Sequence, residues 1–342
     1  MSSQKVSLIE IEKLLSKAAA KFVSLEEAQY FAKAQIECTL FMYPDVNPIN
    51  SAVEDLESWE KLKASKIEIQ VDKSGTFLVD FNRLGPSLKL KWVHDKIEEK
   101  AKLNGIAMFG LNNSNVTDWL KLWTYGLAKR NLIAMYVFNG GLGTVPYGGS
   151  EPIFGTNPLS YAIPTEDDPI LVDMATSESA FYKYSRALKD KHRMREGVLV
   201  DQNGNLTCDP VIAISKDKEN ARILPMGGGY KGYNIVLLIE ILTGALVRSF
   251  MGLEKSAKYT KHEYGGLLIA IDISGLTDLD KFKSSVSKMC KDIRSQKHGD
   301  HVTQVIVPGD HAHFRAKKLR AEGVLELDLG IYEKLKNWES QK

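Results

Sequence analysis

Cysteine is nearly missing from this chain. Three in 342 residues, Cys38, Cys208 and Cys290, are odd in number, far apart and without CxxC spacing. That excludes a disulfide framework and a zinc site, and each reads as a small apolar filler. Charge of one sign is also missing. Lys plus Arg number 45 against 43 Asp plus Glu, leaving +2, so no field exists to hold nucleic acid or an anionic membrane. Nor is there a long apolar run. The longest, Ile235 to Ile241 and on to Val247, is interrupted by Glu240. It falls short of the roughly 20 residues of a membrane span and reads as a buried helix. The N-terminal MSSQKVSLIEIEKLL places polar or charged residues every three or four positions, unlike a signal peptide, so the expected location is cytoplasmic. No histidine precedes His94 and no arginine precedes Arg83.

Hydrophobic residues make up 44%, enough for one large core or two ordinary ones. Ser7-Leu-Ile-Glu10 and Ser24-Leu-Glu-Glu27 are capping boxes that open two helices. MYPDVNPINS (42–51) then breaks the second into a loop. Alternating segments at 67–72 and 76–82 form a hairpin, and a helix follows near Lys91 to Leu103. Next come a strand at 105–111, a helix from Thr117 to Lys129, a strand at 132–138 and a glycine- and proline-rich stretch to Pro164. Further strands are expected at 170–175, 267–273 and 302–307, and a hairpin at 198–207 turns at Asn203-Gly204. Thr277 caps a helix to about Ser295, and two short helices end the chain. The character is α/β.

MGGGYKGYN (226–234) contains a literal GxGxxG at Gly227, Gly229 and Gly232. It is not a P-loop, since Lys231 is followed by Gly232 and no hydroxyl stands ready for magnesium. As a Rossmann turn it lies two thirds along the chain, and no strand follows Glu254, the acidic residue about 20 positions on. Two readings remain. Glycines, free helix N–H groups and Lys231 suit a phosphate; alternatively, the glycines only let a helix pack closely.

This loop occurs with GGSEPIFGTNPLSYAIPT (148–165), LVDMATS (171–177), Asn113-Ser114-Asn115 and VPGDHAHFRAKKLR (307–320). Together and in this order they resemble the malate/L-lactate dehydrogenase family, whose relatives include ureidoglycolate, sulfolactate and diketogulonate dehydrogenases and cyclic-imine reductases. The resemblance implies a non-Rossmann α/β fold with a mixed sheet and N-terminal helices packed with the C-terminal segment. It implies residues 1–110 packing with 302–342 around a cofactor-binding unit at 111–301, and a homodimer. NADH or NADPH is implied as hydride donor, held by Leu171, Val172, Asp173, Met174, Ala175 and Thr176, by Tyr230, Lys231 and Gly232, and by Pro308, Gly309 and Asp310.

The sequence departs from that family where chemistry is expected. Reducing a ketone creates an alkoxide that needs a proton donor. The family places one histidine in a Ser-His-Gly motif after the second helix, followed by an arginine for the substrate carboxylate, and a second histidine after Ser-Asn. Here Val46 and Val116 stand at those histidine positions. Tyr43 and Asp45 are the stand-ins expected in the altered loop, the tyrosine needing a cation such as Lys231 to lower its pKa. Of the other histidines, His311 lies nearest a cofactor segment. Trp119, Trp123 and Tyr125 read as packing or dimer contacts, and Arg315 to Arg320 as a solvated helix face. The expected activity is NAD(P)H-dependent reduction of C=O or C=N in a small 2-oxo acid or cyclic imino acid. An imine that enters protonated needs no acid in the hydride step. The alternative is a nucleotide-binding relative without catalysis.

Overall fold

Ahead of the first serine cap lies a strand that the sequence did not announce, β1 (Ser3–Ser7). Ser7 then accepts from the Glu10 N–H to open α1 (Leu8–Ala19). Ser24 and Glu27 form a complete capping box for α2 (Leu25–Phe41). The computed structural model describes residues 3–42, 46–117, 119–216, 220–255 and 263–340.

The loop expected across 42–51 is shorter than that, because Pro48 starts α3 (Pro48–Lys61) with Asn47 as its cap. A proline at the first helical position loses no hydrogen bond, so it signals a beginning here and not a break. The expected hairpin is β2 (Glu68–Asp72) and β3 (Thr76–Asp80). It is followed by α4 (Leu90–Asn104), β4 (Ile106–Ser114), α5 (Lys121–Ala128) and β5 (Leu132–Phe138). Inside the glycine- and proline-rich stretch the alternating Leu159–Ile163 forms β6, and β7 is Ile170–Met174. An unforeseen helix, α6 (Phe181–Asp190), follows. The small hairpin is β8 (Leu199–Val200) and β9 (Leu206–Thr207), with Gly204 at φ 83° in its turn.

The glycine loop leads into α7 (Tyr230–Thr243), which begins three residues earlier than Tyr233. After β10 (Tyr264–Asp272), Asp278 and not Thr277 caps α8 (Leu279–Arg294). The expected strand at 302–307 joins no ladder; the Val307 N–H donates to the Asp310 carboxylate at 2.9 Å. The tail holds α9 (Asp310–Glu322), a missed strand β11 (Val324–Asp328) and α10 (Leu329–Ser340).

Seven strands form one mixed sheet in the order β2-β3-β4-β10-β5-β6-β7, with β3 and β4 its parallel pair. The expected boundary at residue 110 therefore falls inside β4, and the sheet takes strands from both sides of it. α4 and α5 cover one face, burying Phe109, Trp123, Tyr136 and Leu268. Trp123 is thus core, while Trp119 reaches Ser51 at 3.3 Å. α7 lies on the other face over Val137 and Leu267. A second core joins the ends of the chain: β1 pairs antiparallel with β11, and Leu14, Leu15 and Phe31 pack with Leu335 and Trp338.

One expectation is overturned on the α7 face. The apolar run from Ile235 is not a buried helix, since Leu238 is 57% exposed and Ile241 47%. Strand side chains on that face, Ile106, Met108 and Met135, are exposed too. Tyr230–Val247 is long and apolar enough to cross a membrane by length and composition. Its inner face packs on the sheet, and Glu240 within it is buried.

Candidate active site

β7 is the last strand of the sheet, so one of its edges has no partner strand among the described residues. At its start the Leu171 N–H donates to the Pro308 carbonyl at 3.1 Å. Just past its end, the Met226 N–H donates to the Thr176 carbonyl at 2.9 Å, and the Glu178 carboxylate accepts from the Gly227 N–H. The three segments from 171, 226 and 308 are therefore brought together along one strand edge. At about 3.3 Å per residue, the path from Leu171 to Thr176 is about 16 Å.

The GxGxxG pattern resolves into separate duties. Gly227 sits at φ 72° and Gly228 at φ 63°, where side chains are disfavoured. Gly229 caps α7 in an extended conformation. At Gly232 a Cβ would come within 2.0 Å of the Met226 carbonyl oxygen, so only glycine lets the helix approach its own entry loop. Lys231 is exposed in the first turn, beside N–H groups that the helix leaves unpaired. The far end of α7 is anchored by a buried network. Glu240 receives Lys255 at 2.7 Å and Asn157 at 2.8 Å. Burial pushes the Lys255 ammonium below its ordinary range, opposed by Glu240. Asn157 also presents its carbonyl to the Thr176 hydroxyl at 2.8 Å, so one residue of the GTNP motif ties α7 to the end of the LVDMATS segment.

Asp310 is already engaged. Its carboxylate is bidentate with Arg294 at 2.6 and 3.0 Å, which holds it below the usual carboxylate range. Its role is to fix the head of α9, leaving backbone as what Pro308-Gly309 can offer a ligand. His313, not His311, turns inward here. His311 is exposed, whereas His313 Nε2 contacts the Pro169 carbonyl at 2.8 Å and its ring packs edge-on against Phe41. A cavity of about 120 Å³ opens beside them, between Pro169, Val307 and Arg294.

Tyr43 and Asp45, the expected donors, lie outside the described residues. Val46 and Val116 are both half-buried and give no proton. A residue overlooked in the sequence stands nearby. Lys121 opens α5 half-buried, its backbone N–H donating to the Asp173 carboxylate at 3.1 Å. Among the described residues, its ammonium meets only the Met42 thioether, a weak acceptor, at 3.1 Å. Lys121 therefore joins the LVDMATS strand to the head of the altered loop. Asp173, half-buried against the start of α5, has its pKa raised by desolvation, with Lys121 opposing. The signal available was a rule broken locally: a lysine in the first turn faces the positive end of the helix dipole.

The remaining histidines contribute little here. His94 is fully buried, bonded to the Tyr30 hydroxyl at 2.7 Å and the Trp123 carbonyl at 2.9 Å, and burial lowers its pKa to about 3. It is a neutral packing group. His192, His298 and His301 are exposed, and His262 lies outside the described residues. No group of three or more His, Cys, Asp or Glu side chains able to hold a metal occurs among the described residues.

The sequence and the fold both have counterparts among known proteins. A profile of the malate/L-lactate dehydrogenase family matches residues 10–336. The malate/(S)-sulfolactate dehydrogenase of Methanothermus fervidus is 33% identical over 323 residues, covering 92% of this chain and 91% of that protein. The Δ1-pyrroline-2-carboxylate/Δ1-piperideine-2-carboxylate reductase of Pseudomonas putida is 30% identical, covering 66% of this chain and 64% of that one. In fold, the crystal structure of malate dehydrogenase from Entamoeba histolytica superposes with TM-score 0.83 at 22% identity, covering 99% of this chain and 98% of that one.

Proposed function

The chain belongs to the malate/L-lactate dehydrogenase family, and from that premise we propose an NADH- or NADPH-dependent reductase of C=O or C=N in a small 2-oxo acid or cyclic imino acid. The observation that carries this reading is the meeting of three segments along the free edge of β7, with a half-buried lysine beside it. Backbone from Leu171 to Thr176, the first turn of α7 with Tyr230, Lys231 and Gly232, and Pro308-Gly309 would hold the dinucleotide. It supplies the hydride when bound.

The protein's own task is to hold charge and exclude water. Lys121 is the described cation placed to pair with a substrate carboxylate or to protonate a nascent alkoxide at its oxygen. Asp173 fixes the helix end from which Lys121 projects. A substrate that enters as an iminium leaves the hydride step as a neutral amine, so the valines at 46 and 116 favour C=N over C=O within this reading. They also favour a second reading, a relative that binds nucleotide without turnover.

The exposed apolar residues of α7 and the adjoining sheet face support a homodimer. Three free cysteines, two of them buried, fit the reducing cytoplasm.

The test is to titrate the protein with NADH and NADPH, then follow loss of reduced-nicotinamide absorbance with pyruvate, oxaloacetate, pyrroline-2-carboxylate and piperideine-2-carboxylate. Turnover of at least one is expected. Lys121→Met should lower kcat/KM by about 100-fold at unchanged cofactor affinity. Lys231→Ala should weaken the cofactor instead. Cofactor binding with no turnover on any compound supports the binding-protein reading; no binding of either nucleotide defeats both.

A further inference from the structure

Lys121 also lines an open cavity of about 180 Å³ that lies between α2 and α5 and is closed by the start of α4. Its described walls are mostly apolar. Phe41, Leu90 and Leu122 are buried there, and the Phe41 ring packs edge-on against Tyr125 at 4.8 Å. The polar groups of the wall are already settled. Tyr30 bonds the His94 ring, which stays neutral, and Glu37 is ion-paired with Arg320 of α9. Burial pushes the Tyr125 hydroxyl up to about 12, so it is an uncharged phenol. Lys33 is exposed, two turns of α2 ahead of Phe41, with Glu37 between them on the same face. Lys121 differs from all of these: among the described residues its ammonium meets only the Met42 thioether.

A cation without an anion at the mouth of an apolar cavity suits a ligand of complementary form, a carboxylate carried on an apolar group. The size is that of a side chain, since an apolar cavity of about 150 Å³ takes up benzene. A dianion fits less well. Its second charge would give up water to Phe41, Leu90 and Leu122, and the next described cation of the wall, Lys33, stands beyond Glu37. Lys121 also donates its backbone N–H to Asp173, so one residue links this cavity to the segment assigned to the cofactor. Resting on the reductase reading above, we infer that the cavity receives the apolar side chain of a monocarboxylate held by Lys121, and so makes branched and aromatic 2-oxo acids, or their imines, preferred substrates over dianions such as oxaloacetate.

Calorimetry on the full chain, with NADH or NADPH present, measures Kd for acetate, butanoate, 3-phenylpropanoate and succinate, none of which needs turnover. Affinity should rise along the first three by a few-fold per buried methylene, making 3-phenylpropanoate at least about tenfold tighter than acetate. Succinate should bind more weakly than butanoate. Lys121→Met should weaken all four. Ala34→Leu, which puts a larger side chain into the cavity from α2, should cost 3-phenylpropanoate at least about fivefold more than acetate while the dichroism spectrum stays native. In turnover, kcat/KM should fall from 4-methyl-2-oxopentanoate through pyruvate to oxaloacetate. A flat series, or succinate as the tightest ligand, overturns the inference and leaves the reductase reading standing; so does oxaloacetate as the best substrate. The expected series without turnover of any 2-oxo or imino acid removes the reductase reading and leaves the cavity as a carboxylate site.

Discussion

His94 shows how burial decides the fate of a titratable side chain. Its two ring nitrogens are satisfied by Tyr30 and the Trp123 carbonyl, and no water reaches it. Gly126 lies so close that a Cβ there would meet the ring at 2.5 Å. The folded protein keeps the ring neutral down to about pH 3, whereas the unfolded chain protonates it near 6.5. Protons then bind preferentially to the unfolded state between those values. Stability is therefore highest above pH 6.5 and is lost as pH falls toward 3, by up to about 1.4 kcal/mol per unit. Paired carboxylates with lowered pKa values, such as Asp310 and Glu27, add to the loss only near and below about pH 5. Urea unfolding at pH 7, 6 and 5 isolates the histidine. His94→Gln should flatten the slope across that window, and an unchanged slope would remove His94 from this role. Sequence alone left His94 among several equals, because burial of a residue on a charged helix is settled by what packs over it.

Among the elements, the glycine loop carries the sharpest expectation. Gly232 is required by backbone that cannot yield, while Gly229 has ordinary space, its nearest neighbour 3.7 Å from a Cβ, and an extended φ. Gly232→Ala should cost about 1–3 kcal/mol and displace the first turn of α7, weakening cofactor binding with it. Gly229→Ala should cost no more than about 1 kcal/mol. Calorimetry of the two variants compares them directly; equal losses would contradict the division of labour in the motif.

The elements that were legible carry a local signal. Ser24 and Glu27 mark their own cap, and the Leu132–Phe138 run marks a strand by composition. β1, β6 and β11 are five residues each. They exist because a partner strand is present, which no local window contains. The strand expected at 302–307 joins no ladder, and the Val307 N–H goes to the Asp310 carboxylate at the head of α9 instead. At the site, the three segments that meet along β7 were legible from glycines and turns. Lys121 was not, because its meaning depends on Asp173 and Met42, distant in sequence.

At the scale of the whole molecule, the outer surface of α7 and the uncovered half of the sheet behind it form an apolar surface with Leu238 and Ile241 prominent. Such a surface is expected to be covered by a second copy. Sedimentation should give a dimer, and Leu238→Glu/Ile241→Glu should give a folded monomer with unchanged far-ultraviolet dichroism. A wild-type monomer at micromolar concentration would refute the assembly.

The pairing of β1 with β11 couples residues 3–7 to residues 324–328. During synthesis, α1 and α2 must wait for β11 and α10, more than 280 residues later, before their shared core can close. At about 5–20 residues per second that wait is tens of seconds. Throughout it, the apolar faces of α1 and α2 stand open. Chaperone dependence and premature aggregation should therefore concentrate on α1 and α2 of the nascent chain, even though the finished fold buries their apolar faces well.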